Sequence, residues 1–192
     1  QKYVIFKKPF SQYIRFDLDF RKYFVFSSKN QLVYRNFLGI AYAHTNSDEL
    51  PIQKQFFSGG VNSIRAWEAF NLGPGSFNQE NSYSTGDIKM EFNLEYRFLV
   101  INKIKSALFI DAGNIWSIKN DPREGSVFTL NRFINDLAIG CGYGLRYDFD
   151  FFVVRLDVAT RLRDPSLDDG QKWIKQPLKG NFRYNLAIGY PF

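Results

Sequence analysis

The stretch GDIKMEFNLEYRFLV, residues 86–100, decides the fold because polar and apolar residues alternate along nearly all of it. A β-strand turns successive side chains to opposite faces, so this period of two predicts a strand with one charged face and one apolar face. The stretch is longer than the usual globular strand of about 5–6 residues. It fits the roughly 9–11 residues of a tilted strand that crosses a bilayer, with extensions at its ends.

The same alternation recurs along the chain and predicts an all-β, antiparallel fold. With the stretch above, the strands number about eight. We predict the others at 1–8, 13–26, 31–44, 104–117, 135–149, 151–162 and 181–192.

The predicted connections are alternately short and long. Outer-membrane barrels have this asymmetry, with short periplasmic turns and long outer loops. The short connections include 101–103 and 149–151, and the long ones are 46–85, 118–133 and 163–180.

Composition supports a barrel over other classes of protein. Hydrophobic residues make up 45% of the 192 residues and aromatic residues 18%, yet no run approaches the roughly 18 apolar residues of a spanning helix. The net charge is +6, but the 25 Lys and Arg are interleaved with 19 Asp and Glu and form no basic stripe. We therefore predict no binding of nucleic acid.

The longest connection contains FSGGVNSIRAW, residues 57–67. Two adjacent glycines, Gly59 and Gly60, allow the backbone a tight fold. One cation then follows among apolar residues, in the order Ile64, Arg65, Ala66 and Trp67. A loop in a confined space needs this arrangement, whereas a surface loop does not, so we predict that segment 46–85 folds into the barrel lumen.

An inserted loop sets a lower limit on the size of the barrel. Eight strands enclose an interior that their own side chains just fill, so such a barrel has no room for this loop. We therefore expect residues 1–192 to form the C-terminal half of a single transmembrane barrel domain of about sixteen strands. The sheet should stay open within this chain, with Phe192 ending a strand whose partner is either residues outside this chain or another protein.

The loop tip resembles the (Val/Ile)-Arg-Gly-(Phe/Tyr) motif of the sixth outer loop in the BamA/TamA superfamily, with Ala66 in place of glycine. FIDAGN, residues 109–114, resembles the Phe-x-Asp-x-Gly strand of that family, whose aspartate, here Asp111, pairs with the loop arginine. Glu95 matches a second acid near the same arginine. The resemblance implies that Asp111 and Glu95 anchor Arg65; ordinary lumen charge is the alternative for each acid taken singly.

GCGYGLR, residues 140–146, resembles the Gly-x-Gly-x-Gly-(Leu/Val)-Arg strand of the same family. A nucleotide-binding loop is excluded here, because the glycine spacing is wrong and a strand follows instead of a helix. Residues 155–159 resemble its Arg-x-Asp-x-Ala stretch. We expect four glycines, which have no side chain, to leave space on the inner barrel wall for the loop: Gly113, Gly140, Gly142 and Gly144.

The end of the chain, AIGYPF at 187–192, carries the terminal aromatic residues by which barrels are recognised for assembly, here Tyr190 and Phe192. The Arg-Asp-Pro-Ser loop at 163–166, Trp173 and this ending look most like TamL, the TamA-like lipoprotein of Bacteroidota, with BamA as the close alternative.

The family resemblance implies a bacterial outer-membrane protein that inserts or exports other proteins through a lateral opening between its first and last strands. It also implies N-terminal periplasmic domains, which are absent from this sequence. The expected partners are outer-membrane lipids, client outer-membrane proteins and a TamB-like or other periplasmic protein. A two-partner-type secretion channel, a passive pore and the membrane anchor of a fused lipase remain as alternatives.

The residues predict neither an enzyme nor a cofactor or metal site. No Ser/His/Asp set can be built, since His44 is the only histidine, and Cys141 is the only cysteine. The acids of the last long loop lack the spacing of an EF-hand.

Side-chain parity also predicts the two faces of the sheet. The residues expected to contact lipid are Leu94, Tyr96, Phe98, Leu156, Leu186 and Ile188. Those expected to face the lumen are Glu91, Asn93, Arg97 and Arg155.

Overall fold

The computed structural model describes residues 3–5, 8–77, 83–119, 121–177, 179 and 182–192. Within them, seven antiparallel strands form one sheet in which each strand pairs with its neighbours in sequence, in the order β3 to β9. The strands are β1 (Val4–Ile5), β2 (Lys8–Pro9), β3 (Tyr13–Ser27), β4 (Asn30–Ala43), β5 (Ile88–Ile101), β6 (Ile104–Trp116), β7 (Ala138–Asp148), β8 (Val153–Arg163) and β9 (Phe182–Ile188).

In the part of the chain that the structure describes, helical structure is confined to two short turns, a 3-10 turn at Ile52–Lys54 and the four-residue α1 at Phe133–Asp136. No helix of the described residues is long and apolar enough to cross a membrane. The predicted all-β antiparallel fold is confirmed, and β3 to β8 begin and end within a few residues of their predicted bounds.

The two faces of the sheet differ as parity predicts. We call the face covered by the loop tip 57–67 the inner face; there Glu91 and Asn93 are fully buried, and Arg97 and Arg155 nearly so. The opposite, outer face exposes Leu94, Leu156, Leu186 and Ile188, while Tyr96 and Phe98 are half-buried.

The predicted strand at 1–8 is wrong, because its described residues, 3–5 and 8, add no strand to this sheet. Residues 1, 2, 6 and 7 lie outside the described part, and β1 pairs only with β2 in a small separate sheet. Pro9 has no N–H to donate to a ladder. The side chain of Asn46 bonds this segment instead, donating to the carbonyl oxygen of Phe10 at 3.0 Å.

The last predicted strand is too long. β9 ends at Ile188, since Gly189 has a φ of +85° and Pro191 cannot donate to a ladder. Phe192 therefore does not end a strand, and its side chain is buried. The sheet nevertheless stays open as predicted, with β3 and β9 as its two edges.

Candidate functional site

The loop tip 57–67 is a tight turn closed by a hydrogen bond from Gly60 N–H to the carbonyl oxygen of Trp67, at 2.8 Å. Gly59 and Gly60 have φ values of +88° and +93°. A Cβ on Gly59 would lie 2.0 Å from the carbonyl oxygen of Glu68, so this conformation excludes larger residues. The turn presents four buried residues to the sheet, namely Ile64, Arg65, Ala66 and Trp67.

Arg65 is fully buried and lies between acids of three strands. Its Nε and Nη2 donate to the two carboxylate oxygens of Asp111 on β6, at 2.8 and 2.9 Å. Its Nη1 donates to Glu95 on β5 at 2.6 Å and lies 3.6 Å from a carboxylate oxygen of Asp157 on β8. A bidentate pair fixes the plane of the guanidinium as well as its position, so these contacts hold the loop tip in one orientation.

The acids around Arg65 are themselves held by further arginines of the inner face. Glu95 accepts hydrogen bonds from Arg97 at 2.7 Å and from Arg146 at 3.0 Å. Asp157 is ion-paired with Arg146 at 3.3 Å and also with Arg155. Every member of this network is nearly or fully buried. Removing one partner of such a desolvated pair leaves an uncompensated charge and costs about 3–5 kcal/mol.

A second polar layer lies next to the first, towards β4. Asn93 donates to Asp111 at 2.9 Å and to the carbonyl oxygen of Ser63 at 3.0 Å. Glu91 accepts hydrogen bonds from both loop serines, Ser63 and Ser58. The loop tip thus bonds to the sheet through neutral donors as well as through Arg65.

An aromatic ring completes the surroundings of Arg65. The Cζ of Arg65 lies 3.4 Å from the centroid of the Phe109 ring, within range of a cation–π contact. Gly142 makes room for that ring, because a Cβ there would be 2.4 Å from it. Gly140 makes room for the loop directly, since its Cβ would be 2.6 Å from the Cβ of Ala66.

Gly113 and Gly144 do not leave space for the loop, contrary to expectation. A Cβ on Gly113 would meet the backbone of β5, 2.3 Å from the carbonyl oxygen of Met90. A Cβ on Gly144 would lie 2.2 Å from both Arg146 Nη1 and Asp157 Oδ1. These glycines therefore make room for a close strand and for an ion pair of the sheet itself.

The loop tip is also bonded to the last two strands. Asn185 on β9 donates to the carbonyl oxygen of Arg65 at 2.9 Å. On β8, Arg155 donates to the carbonyl oxygen of Val61 at 2.9 Å and Arg161 to that of Ala66 at 3.4 Å. The tip therefore hydrogen-bonds to β5, β6, β8 and β9, and it packs against β7 at Gly140.

The predicted site residues fall into two groups. Arg65, Asp111 and Glu95 meet at hydrogen-bond distance, as the motifs imply. Tyr190 and Phe192 lie on the inner face, with Arg97 Cζ 4.5 Å and 5.7 Å from their ring centroids. The sequence reasoning missed Asp157, Arg146 and Asn185 as members of the site, although their parity already placed them on the same face.

A separate cavity of about 260 Å³ lies at the long-loop end of the sheet, lined in part by Ser117, Asp121 and Arg123. Desolvation disfavours the Asp121 carboxylate, but hydrogen bonds from Arg123 and Ser117 outweigh it and lower the pKa of Asp121 to about 2. The carboxylate therefore stays ionised and orders this loop. Among the described residues no group of three or more His, Cys, Asp or Glu side chains could hold a metal ion.

Comparisons with known proteins agree with this fold. Residues 4–192 match the Omp85 superfamily domain. The chain is 29% identical over 111 residues to the outer membrane protein assembly factor BamA of Neisseria meningitidis serogroup B (strain MC58), covering 54% of this chain and 14% of that protein. It therefore spans about one seventh of the length of this relative.

Two solved structures share the fold. BamA from Haemophilus ducreyi lacking POTRA domains 1–3 superposes with a TM-score of 0.64 at 16% identity, covering 93% of this chain and 35% of that one. CdiB from Acinetobacter baumannii gives a TM-score of 0.52 at 17% identity, covering 93% and 27%. The chain belongs to the Omp85 superfamily, whose members are β-barrel proteins of the Gram-negative outer membrane.

Proposed function

We propose that this chain is the C-terminal part of an outer-membrane barrel that assembles or translocates other proteins, with segment 46–85 as a loop held inside its lumen. The buried contacts of Arg65 with Asp111 and Glu95, at 2.8 and 2.6 Å, carry the proposal. Together with the bonds from Asn93, Arg155 and Asn185, they hold the loop tip against the inner face. A loop held there narrows the route for solutes, which favours a protein that moves other proteins over a passive pore.

In this proposal the pinned loop keeps β5 to β8 in register while the sheet edges remain available for pairing. Unpaired backbone groups in hydrocarbon cost several kcal/mol each, so the free edges of β3 and β9 must meet other strands. Those strands belong to the rest of the barrel or, at a lateral opening, to a client outer-membrane protein. The terminal aromatics Tyr190 and Phe192 serve in the assembly of the barrel itself.

The test is to replace Arg65 by Ala in the full-length protein, expressed in its own host as the only copy. We expect the amount of folded client barrels in the outer membrane to fall, measured by heat-modifiable migration of several unrelated barrels. Arg21→Ala, at an exposed arginine of β3, is the matched control. Full client assembly by an Arg65→Ala protein present at normal levels would contradict the proposal.

A second candidate function is a two-partner-type secretion channel, which the fold likeness to CdiB supports. The two functions differ in how many other proteins are lost when this protein is depleted. Depletion of an assembly factor lowers many outer-membrane barrels at once, whereas depletion of a dedicated channel removes one secreted protein from the medium. Quantitative proteomics of both fractions after depletion therefore separates them.

We further propose that the full-length protein is a TamA-like lipoprotein of Bacteroidota with a TamB-like periplasmic partner, BamA being the close alternative. The loop at 163–166, Trp173 and the Gly-Tyr-Pro-Phe ending support this subtype. Incorporation of an alkyne fatty acid into the full-length protein tests it, because a lipoprotein carries acyl chains and BamA does not. An unlabelled protein would favour the BamA alternative.

A further inference from the structure

The last four residues, 189–192, leave the sheet and lie on the inner face beside the loop tip; we call them the C-terminal tail. The turn begins at Gly189, whose φ is +85°. Phe192 is only 6% exposed, and Arg97 Nη2 donates to its carbonyl oxygen at 3.0 Å. The tail is therefore seated by specific contacts of the same inner face that holds the loop.

One side chain bonds both the tail and the loop tip. Arg155 Nε donates to the carbonyl oxygen of Gly189 at 3.0 Å, and its Nη2 donates to that of Val61 at 2.9 Å. Its Nη1 pairs with Asp157, one of the acids near Arg65. Its Nη2 also donates to the side-chain oxygen of Asn62 in the loop tip. The rigid fork of a guanidinium holds such partners at fixed angles, which the point charge of lysine cannot reproduce.

We propose that Arg155 is a positioning residue that couples the seating of the loop tip 57–67 to the inward position of the C-terminal tail. With all of these bonds made, the tail and the tip occupy fixed places against one buried guanidinium. If either the tail or the tip is displaced, the buried Arg155 guanidinium loses a partner. Its position is then less fixed, and its bonds to the other segment weaken. Because such coupling is reciprocal, a change at the tail must alter the loop by the same factor.

Arg161 offers a matched comparison on the same strand and the same face. Its Nε donates to the carbonyl oxygen of Ala66 at 3.4 Å, and its Cζ lies 4.9 Å from the Trp67 ring. It also pairs with Asp164 at 3.0 Å. Within the described residues these contacts involve the loop tip and Asp164 but not the tail. Arg161 therefore contributes to loop seating without the proposed connection.

The first experiment measures how accessible the tail is in the full-length protein reconstituted in liposomes. Cys141→Ser removes the native thiol, and Pro191→Cys places a reporter at a buried tail position. We expect Arg155→Gln to raise the labelling rate by a membrane-impermeant maleimide about tenfold, the size expected for lost hydrogen bonds to a charged group. Arg161→Gln should stay near the parent rate.

The second experiment reads the coupling from the loop side and uses Arg155→Lys, which keeps the charge and so protects folding. Trp67 is 2% exposed and reports on loop seating once Trp116→Phe and Trp173→Phe remove the other two tryptophans of residues 1–192. Phe192→Ala should increase acrylamide quenching of Trp67 in the parent protein. In the Arg155→Lys background the same change should add little.

Three results would overturn the proposal. One is an unchanged labelling rate at position 191 in both Arg155 variants. Another is an equal rise in Arg155→Gln and Arg161→Gln, which would assign the effect to loop loosening in general. The third is an equal effect of Phe192→Ala on Trp67 with Arg155 or Lys at this position. Since both readouts report conformation, the proposal can fail or hold independently of client assembly.

Discussion

β3 and β5 carry similar alternations of charged and apolar residues, yet their charged faces lie in opposite environments. On β5, Glu91 and Glu95 are fully buried. On β3, Asp19 and Arg21 pair at 2.8 Å with side chains that are 28% and 45% exposed. Alternation therefore decides which way a side chain points, whereas its burial depends on what covers that face of the strand.

The loop tip supplies that cover. It lies over β5 to β9, where Arg65 and the loop serines bond to the sheet, and β3 is at the edge of the sheet beyond it. An exposed ion pair contributes about 0–1 kcal/mol, whereas breaking a buried one costs several times more. Similar residues on two strands of one sheet should therefore respond very differently to substitution.

Arg65→Ala should have the largest effect, because it removes the central cation and leaves buried acids unpaired. We expect a loss of about 3–5 kcal/mol of unfolding free energy, measured by urea denaturation of the full-length protein refolded in detergent. Arg65→Lys keeps the charge without the bidentate geometry, so its unfolding free energy should lie between those of the parent protein and Arg65→Ala. A loss below about 1 kcal/mol would mean that the pair behaves like the exposed pair on β3.

Ile110→Lys tests the outer face at mid-strand in β6, where Ile110 is 42% exposed. A lysine facing lipid near the bilayer centre costs about 2–4 kcal/mol. The control Ile110→Leu preserves apolar volume and should cost less than about 1.5 kcal/mol. If urea denaturation in lipid vesicles showed no penalty for lysine here, the assignment of the two faces would be inverted.

Gly140→Ala tests the contact between the loop tip and β7. The new Cβ would lie 2.6 Å from the Cβ of Ala66, and we expect a loss of about 1–3 kcal/mol from overpacking. Ala66→Gly removes the opposing methyl group, so the double variant should recover most of the stability in the same urea assay. Additive losses in the double variant would show that the two residues do not meet.

Arg21→Ala on β3 should have the smallest effect. Its pair with Asp19 is partly exposed, so we expect a loss of no more than about 1 kcal/mol in the same urea assay. A loss as large as that of Arg65→Ala would mean that β3 is covered as completely as β5, and the contrast between the two strands would disappear.

Much of the fold could be predicted from the sequence because it rests on local properties. Period-two alternation places Glu91, Asn93 and Arg97 on one face of a strand whatever its neighbours are. The pairing of Arg65 with Asp111 and Glu95 was also predictable, but only through the resemblance of their short motifs to a family. From spacing alone each acid was equally consistent with ordinary lumen charge.

The residues alone predicted most of the strands and their two faces, and the family motifs added the meeting of Asp111 and Glu95 at Arg65. Only the tertiary structure decided that Asp157 and Asn185 join this site, since the bond from Asn185 spans 120 residues of chain. It also decided that β9 ends at Ile188, just before Gly189, where the alternation of 181–192 predicted a continuous strand. Alternation cannot distinguish a tail in the sheet from a tail on its inner face, because that choice depends on partners such as Arg97 and Arg155, which distant strands bring to the same place.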